Sequence, residues 1–324
     1  MHSTDDCSTH VATTSSCPEI YVEPTTDMRF CSVPAGIFTM GSHYADSAEH
    51  HPLWYADEKP AHEVRITQDL VIAEAQVTVA QFRAFIEATG YITSAEQAKR
   101  SFGLYHEDEG QASWAFGEGL AWNNPGYSLA DELPVTHVSW NDAIAFCDWL
   151  SKCHMGSRTF TLLTEEQWEY CAGYAGRHTY SWGNDLPDHL NGGNIADQSF
   201  ITRYPKWKYP VMEGYDDGFS LVAPVRNYAP NPFGLYDMTG NVWEWVEDNY
   251  EPYPNAPADA LTAYQANIDR ITENGGLGSV NELRVHRGAG FDWELPFLRV
   301  AKRRSQLRNY SAIHIGFRLA IQIQ

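Results

Sequence analysis

The chain has 324 residues, with 42 acidic against 22 basic side chains and a formal charge of −20. Such a surface repels phosphate backbones, which argues against a nucleic-acid partner, and no apolar run has the length that spans a bilayer. Its 11 Trp, 18 Tyr and 14 Phe can fill a large core, while 24 Gly and 17 Pro spread through the chain favour turns over long helices.

Residues 1–28 are rich in Ser, Thr and Asp and read as a flexible extension, with one domain from 29 to 324. The start lacks a basic stretch followed by an apolar core, so no signal peptide is expected. With six scattered cysteines this points to a cytoplasmic protein. Cys7 and Cys17, even with His2 and His10, do not have the spacing of a zinc knuckle.

Val33-Pro34-Ala35-Gly36-Ile37-Phe38-Thr39-Met40 reads as strand, turn and strand. His43, His50, His51 and His62 follow among acids and read mainly as surface groups. Residues 62–66 and 70–72 read as strands. Thr78 then caps a helix whose Phe82, Phe85 and Ile86 share one face, and Gly90 ends it. Residues 91–133 show little periodicity but carry Tyr105, Trp114, Phe116, Trp122 and Tyr127, the character of a segment that shapes a groove or lid. Ser139, with Asp142 in the capping-box position, starts a second helix with Ala143, Phe146, Cys147 and Leu150 inward. A short strand over 159–162 leads to a third helix, capped by Thr164 and buried along Trp168, Cys171 and Ala172. Beyond Gly173 the chain is turn-rich, with strands expected at 287–291, 297–301 and 315–321. Three helices with a β-rich body make an α+β fold with much irregular structure.

Two stretches mix acids, glycines and aromatics. In Gly234-Leu235-Tyr236-Asp237-Met238-Thr239-Gly240-Asn241-Val242-Trp243-Glu244-Trp245 the tryptophans need a core, so Asp237 and Glu244 can be held inward beside backbone carbonyls. Oxygen-rich surroundings of that kind suit Ca²⁺; otherwise the acids face water on a tight turn. Asp216-Asp217-Gly218-Phe219 repeats the pattern, and Asn194 with Asp217 could supply side-chain oxygens alongside the carbonyls of Ile195 and Phe219. The alternative there is a hydrated turn.

Gly36 to Ser42, Pro134 to Trp140, Leu163-Thr164-Glu165-Glu166-Gln167-Trp168-Glu169-Tyr170, Gly234 to Trp245 and Gly316-Phe317-Arg318 together resemble the formylglycine-generating enzyme (sulfatase-modifying factor) family, in family order. The resemblance implies a single variant C-type-lectin-like domain holding two Ca²⁺. One ion would use Asn194, Ile195, Asp217 and Phe219; the other would use Asp237, Gly240, Val242 and Glu244. It also implies two C-terminal cysteines that hold copper(I) and activate O₂, soft thiolates being what selects that ion. The matching segment, 287–304, contains no cysteine, so copper-dependent formylglycine formation is not expected. Sulfoxide synthases of the same family take iron ligands from histidines partly contributed by an added helical-bundle domain and its linker; this chain has neither the length for such a domain nor a matching His-x-x-x-His element before the core. Other relatives, including an oxidase-like branch that matures pyoverdine siderophores and inactive paralogues, lack both schemes.

Asp292, Trp293 and Glu294 occupy the segment of the missing cysteines, with Arg304, Ser305 and His314 near it in sequence. Asp292 and Glu294 beside Trp293 could bind a cationic or amine substrate, or one of them could act as a general base, with His314 as a proton shuttle and Arg304 beside them, while Trp293 and Ser305 contact substrate. The plainer account is that Asp292 and Glu294 solvate a loop while Arg303 and Arg304 pair with surface acids. The expected function is an oxidoreductase acting on a small molecule or peptide, with Fe²⁺ as the metal if some of His43, His50, His51, His62, His137, His178 and His314 converge with an acid. The alternative is a calcium-stabilised binding or accessory protein without turnover.

Overall fold

The computed structural model describes residues 20–43, 54–107, 111–155, 157–188, 191–273 and 282–322. One sheet joins β1 (Ile20–Val22), β2 (Arg29–Val33), β5 (Leu70–Ala73), β8 (Thr159–Leu162) and β13 (Leu319–Gln322) in the order β1-β2-β5-β13-β8. Strand β1 falls inside the stretch expected to be a flexible extension. It pairs with β2 in the register Ile20↔Cys31, and Tyr21 packs 6.0 Å from Phe30. Ile20–Val22 thus belong to the sheet, residues 23–28 form the turn to β2, closed by Glu23 N donating to the Met28 carbonyl (2.8 Å), and 1–19, with their two cysteines, lie outside the described residues.

A second sheet runs β11-β10-β9-β12, formed from β9 (Trp243–Asn249), β10 (Leu283–Arg287), β11 (Arg303–Leu307) and β12 (Ile315–Phe317). Hairpins β3 (Gly36–Met40) with β4 (His62–Ile66) and β6 (Arg100–Glu107) with β7 (Gln111–Glu118) complete the strands described. The last hairpin lies in the segment expected to be irregular. The expected strand over 315–321 is split: β12 runs parallel to β9, β13 antiparallel to β5 and β8, and Arg318 is the buried joint between the sheets. The strand expected at 287–291 ends at Arg287, because Gly288 (φ 97°) and Ala289 (φ 59°) turn the chain. The one expected at 297–301 is replaced by a 3₁₀ turn, Leu295–Leu298, with Pro296 in its first positions.

The three expected helices are α1 (Val79–Thr89), α3 (Trp140–Cys153) and α4 (Glu165–Ala172), each with a full capping box: Thr78 with Gln81, Ser139 with Asp142, Thr164 with Gln167. Gly90 takes the left-handed conformation that ends α1, at φ 66°. The chain also forms α2 (Ser94–Ala98), α5 (Gln198–Arg203) and α6 (Ala258–Glu273). The inward face of α6 rests on Ala260, Ala263, Ile268 and Ile271, too small a signal to stand out in sequence.

Phe82, Phe85 and Phe146 pack with Phe317 between the helices and the second sheet, and Cys147 is buried beside them. A second core gathers Phe38, Trp168, Cys171, Met238 and Val285. The basic run 299–304 is not a surface patch. Arg299 is paired with Glu58 through two bonds of 2.7 Å, and Arg303 with Glu165 at 2.8 and 2.9 Å. Lys302 reaches the Trp54 carbonyl and lies 3.6 Å from Asp57, and Arg287 binds Glu169. These pairs hold both flanks of the 288–298 loop against α4 and the residues around Ala56–Glu58.

Candidate functional site

The loop after β10 presents Asp292, Trp293 and Glu294, all partly exposed. Close approach requires its glycines: a Cβ on Gly288 would lie 2.9 Å from the Met238 carbonyl, and one on Gly290 3.3 Å from Cβ of His314. Strand β11 contributes Arg304, and the turn before β12 contributes His314. The β6–β7 hairpin forms the opposite wall, with Trp114 edge-on to His314 (5.1 Å) and stacked on Phe102 (5.5 Å), which in turn meets Tyr310 (5.9 Å).

Asp292 Oδ2 lies 3.8 Å from His314 Nδ1, beyond hydrogen-bond range. Burial pushes the Asp292 carboxyl up to about 7, against the pull of Arg304. Burial, then Arg304 and His137, press the His314 imidazole down to about 3. Both groups are therefore neutral in mildly acidic solution, and neither Asp292 Oδ1 nor His314 Nδ1 has a partner. The indole N–H groups of Trp243 and Trp293 are likewise buried and unbonded. Arg304 lies over Trp293 (4.6 Å) and Trp243 (5.9 Å), and burial and then Arg270 lower its guanidinium to about 10. The expected pairing of Arg304 with a surface acid does not occur among the described residues.

Ser305 is separated from this face. It is buried, and its hydroxyl takes a hydrogen bond from Asn267 on α6. Glu294 opens the 3₁₀ turn, its carbonyl accepting from Phe297 N at 3.0 Å. The structure thus brings together Asp292, Trp293, Arg304 and His314, and adds Trp114, Trp243 and Tyr310. His286, buried under Trp243 (4.8 Å) and Trp245 (5.4 Å), is a further member of the surroundings that the sequence did not flag. An open depression of about 530 Å³, lined by Asp69, Leu70, Thr161 and Glu247 among others, lies over the first sheet, and none of the site residues line it.

Among the described residues the histidines do not converge on a metal site. His137 is engaged by Ser101 Oγ (2.8 Å) and the Pro125 carbonyl (3.2 Å), His62 by the Pro60 carbonyl (2.8 Å), and His178 sits beside Tyr174 (5.3 Å). His50 and His51 lie outside the described residues. Among the described residues no three or more His, Cys, Asp and Glu side chains are grouped to hold a metal. Cys31, Cys147 and Cys171 are buried in the cores and Cys153 is exposed at the end of α3.

The two oxygen-rich stretches differ in how they suit a hard cation. At the first, Asp217 accepts the backbone N–H groups of Ile195 (2.8 Å) and Phe219 (2.7 Å), so those three residues are neighbours, joined through N–H donors where the sequence expectation used the carbonyls. Asn194 is fully buried with its Oδ1 unpartnered. Burial and then Asp197 push the Asp217 carboxyl up to about 8. An orphan amide oxygen and a carboxylate whose charge is disfavoured are what a Ca²⁺ ion would satisfy, so this donor set fits. At the second, Asp237 Oδ1 is unpartnered and burial raises that carboxyl to about 6. Glu244, however, is fully engaged. Arg318 binds both its oxygens at 2.7 Å, Trp168 Nε1 donates at 2.8 Å and Gln76 Nε2 at 2.9 Å. That carboxylate is already neutralised and has no lone pair left over for an ion, so the set containing it does not fit as expected.

The fold and this site define an α+β domain with no cysteine in the 287–304 segment, and comparison places it. Residues 19–323 match the sulfatase-modifying factor enzyme 1-like domain, and the chain belongs to that family. It is 33% identical over 311 residues to the formylglycine-generating enzyme of Thermomonospora curvata, covering 89% of this chain and 92% of that enzyme. It is also 33% identical over 258 residues to the mouse (Mus musculus) protein named inactive C-alpha-formylglycine-generating enzyme 2, covering 73% and 74% of the two. The structure of PvdO from Pseudomonas aeruginosa superposes with a TM-score of 0.64 at 25% identity, over 95% of this chain and all of that one. The chain is therefore a single α+β domain of this variant C-type-lectin-like fold, in a form that lacks the copper-binding cysteine pair.

Proposed function

We propose that this protein is a binding or accessory member of its family, acting in the cytoplasm on a small molecule or peptide held at the Asp292–Trp293–Arg304–His314 face, and that it does not form formylglycine. The observation that carries this is the replacement chemistry at the loop. Where the family resemblance implies two thiolates, this chain has Asp292, Trp293 and Glu294, with Asp292 3.8 Å from His314 and Trp293 under Arg304. The inactive relative at 33% identity supports the persistence of the fold without that reaction. Iron-dependent oxidation has less support, because the described histidines are bonded apart from one another. Calcium belongs to the proposal at the Asn194–Asp217 set only, through side-chain oxygens at those two residues and carbonyls of Ile195 and Phe219. Its contribution there is structural.

The test is an anaerobic copper(I) titration against a competing chelator, followed by O₂ uptake with a cysteine-containing peptide and, separately, with Fe²⁺ added. The expected result is loss of copper to the chelator and O₂ uptake at the background rate. Stoichiometric copper retention with peptide-dependent O₂ uptake would overturn the proposal.

A further inference from the structure

Among the described residues Arg304 is an arginine without an acceptor. Its described contacts are the faces of Trp293 (4.6 Å) and Trp243 (5.9 Å), whereas its neighbours Arg299 and Arg303 each hold a carboxylate through two hydrogen bonds. A guanidinium carries five N–H donors in a fixed fork, and one removed from water costs free energy unless those donors are used. Arg304 is only half-buried, so its fork keeps a path to solvent. Two further donors, the indole N–H groups of Trp243 and Trp293, are enclosed and unbonded in the same cluster. Arg270 adds positive potential, Tyr310 keeps its proton through burial, and the neighbouring carboxyl of Asp292 is neutral in mildly acidic solution. Asp57, the other acid that acts on Arg304, is engaged by the Tyr250 hydroxyl (2.7 Å) and lies 3.6 Å from Lys302.

We infer that Arg304 is the anchor of an anion site, and that the ligand at this face carries a carboxylate attached to a flat aromatic or apolar body. The carboxylate fits the planar fork, which binds it through two parallel hydrogen bonds. The body lies between Trp293 on one side and Trp114 with Phe102 on the other, where the half-exposed ring of Phe116, 5.4 Å from Phe102, extends the apolar surface outward. A cationic amine, which the acids Asp292 and Glu294 alone would favour, is repelled by Arg304 and Arg270. This inference rests on the binding reading above and names its ligand class. The source of the carboxylate can be a free aromatic acid or the C-terminus of a peptide.

The experiment is calorimetric titration of the full chain with indole-3-acetate, its neutral amide indole-3-acetamide and the cation tryptamine. N-acetyl-glycyl-tryptophan, with a free or an amidated C-terminus, serves as the peptide arm. At least one acid is expected to bind roughly tenfold or more tightly than its own amide, as loss of a charge-assisted pair requires. Preference for the free indole acid identifies a small-molecule source, and preference for the peptide acid a C-terminus; either supports the inference. Arg304→Gln is expected to bind acid and amide equally. Should that variant fail to fold, Arg304→Lys keeps the charge and is expected to bind the acid more weakly while still preferring it to the amide. Equal binding of acid and amide by the unaltered chain, tighter binding of tryptamine, or no binding of any probe at millimolar concentration overturns the inference. None of these outcomes bears on the copper and O₂ test, so the two can fail separately.

Discussion

Replacing Arg318 with Met tests what holds the two sheets together. Arg318 is about as buried as a side chain can be, at 1% exposure, and Glu244 at 0%. The guanidinium donates to both Glu244 oxygens and to the Tyr236 carbonyl at 2.8 Å, with longer bonds to the Ala73 and Glu74 carbonyls at 3.3 and 3.4 Å. Met has similar volume, so Arg318→Met leaves packing nearly intact but strands the Glu244 charge and three carbonyls. Breaking a buried pair this way costs roughly 3–5 kcal/mol. At roughly 2 °C per kcal/mol for a chain this long, the melting temperature falls by roughly 6–10 °C. Glu244→Gln combined with Arg318→Met removes the stranded charge. The double-mutant cycle is therefore expected to show a coupling of roughly 2–3 kcal/mol, the combined variant being more stable than Arg318→Met alone. Thermal unfolding followed by circular dichroism, in EGTA, supplies all four values. A loss below about 1 kcal/mol for Arg318→Met, or strictly additive effects in the cycle, would refute the argument that this pair is a buried, mutually compensating joint.

Two further predictions concern pH, calcium and backbone crowding. The Asp217 carboxyl is raised to about 8 in the folded chain, from about 3.9 when unfolded. Between those values the native state keeps a proton that the unfolded chain has lost, so stability falls as pH rises from 5 to 8. In EGTA the melting temperature should decline over that interval, while Ca²⁺ should flatten the decline; Asp217→Asn should remove both the slope contributed by this group and the calcium response. A calcium response unchanged in Asp217→Asn would move the ion elsewhere. Gly240 has φ 87°, and a Cβ there would stand 2.6 Å from the Asn194 carbonyl oxygen. Gly240→Ala should therefore cost roughly 2 kcal/mol or more, read as a fall in melting temperature, because the obstacle is backbone and cannot swing aside.

Much of the helical scaffold was legible because helix signals are local. Thr78, Ser139 and Thr164 each stand before an apolar stripe, and each closes a capping box within three residues of chain. The missing cysteines were equally plain, since absence of a residue type needs no fold. The β6–β7 hairpin was not read: only the short alternations Phe102/Leu104 and Trp114/Phe116 mark it, and the residues its inward side chains meet, Tyr310 and His314, stand 200 or more positions away. The division of 315–321 was hidden for a related reason. Both halves are apolar, and only the pull of Glu244 on Arg318 breaks the run into strands of two sheets.

Sequence alone determined that this chain adopts its family's fold and that no thiolate pair occupies the 287–304 segment, because motif order and residue identity are properties of the linear chain. Tertiary structure alone decided which charges are spent and which are free to act. Glu244, Glu165 and Glu58 look like acids available for chemistry, yet each is consumed by an arginine brought from 74 to 241 positions away. Arg304 looks like one cation among several, and among the described residues it faces two indole rings where Arg299 and Arg303 hold carboxylates. Coulomb energy depends on distance through space and on exclusion of water, and neither is written in the order of the residues.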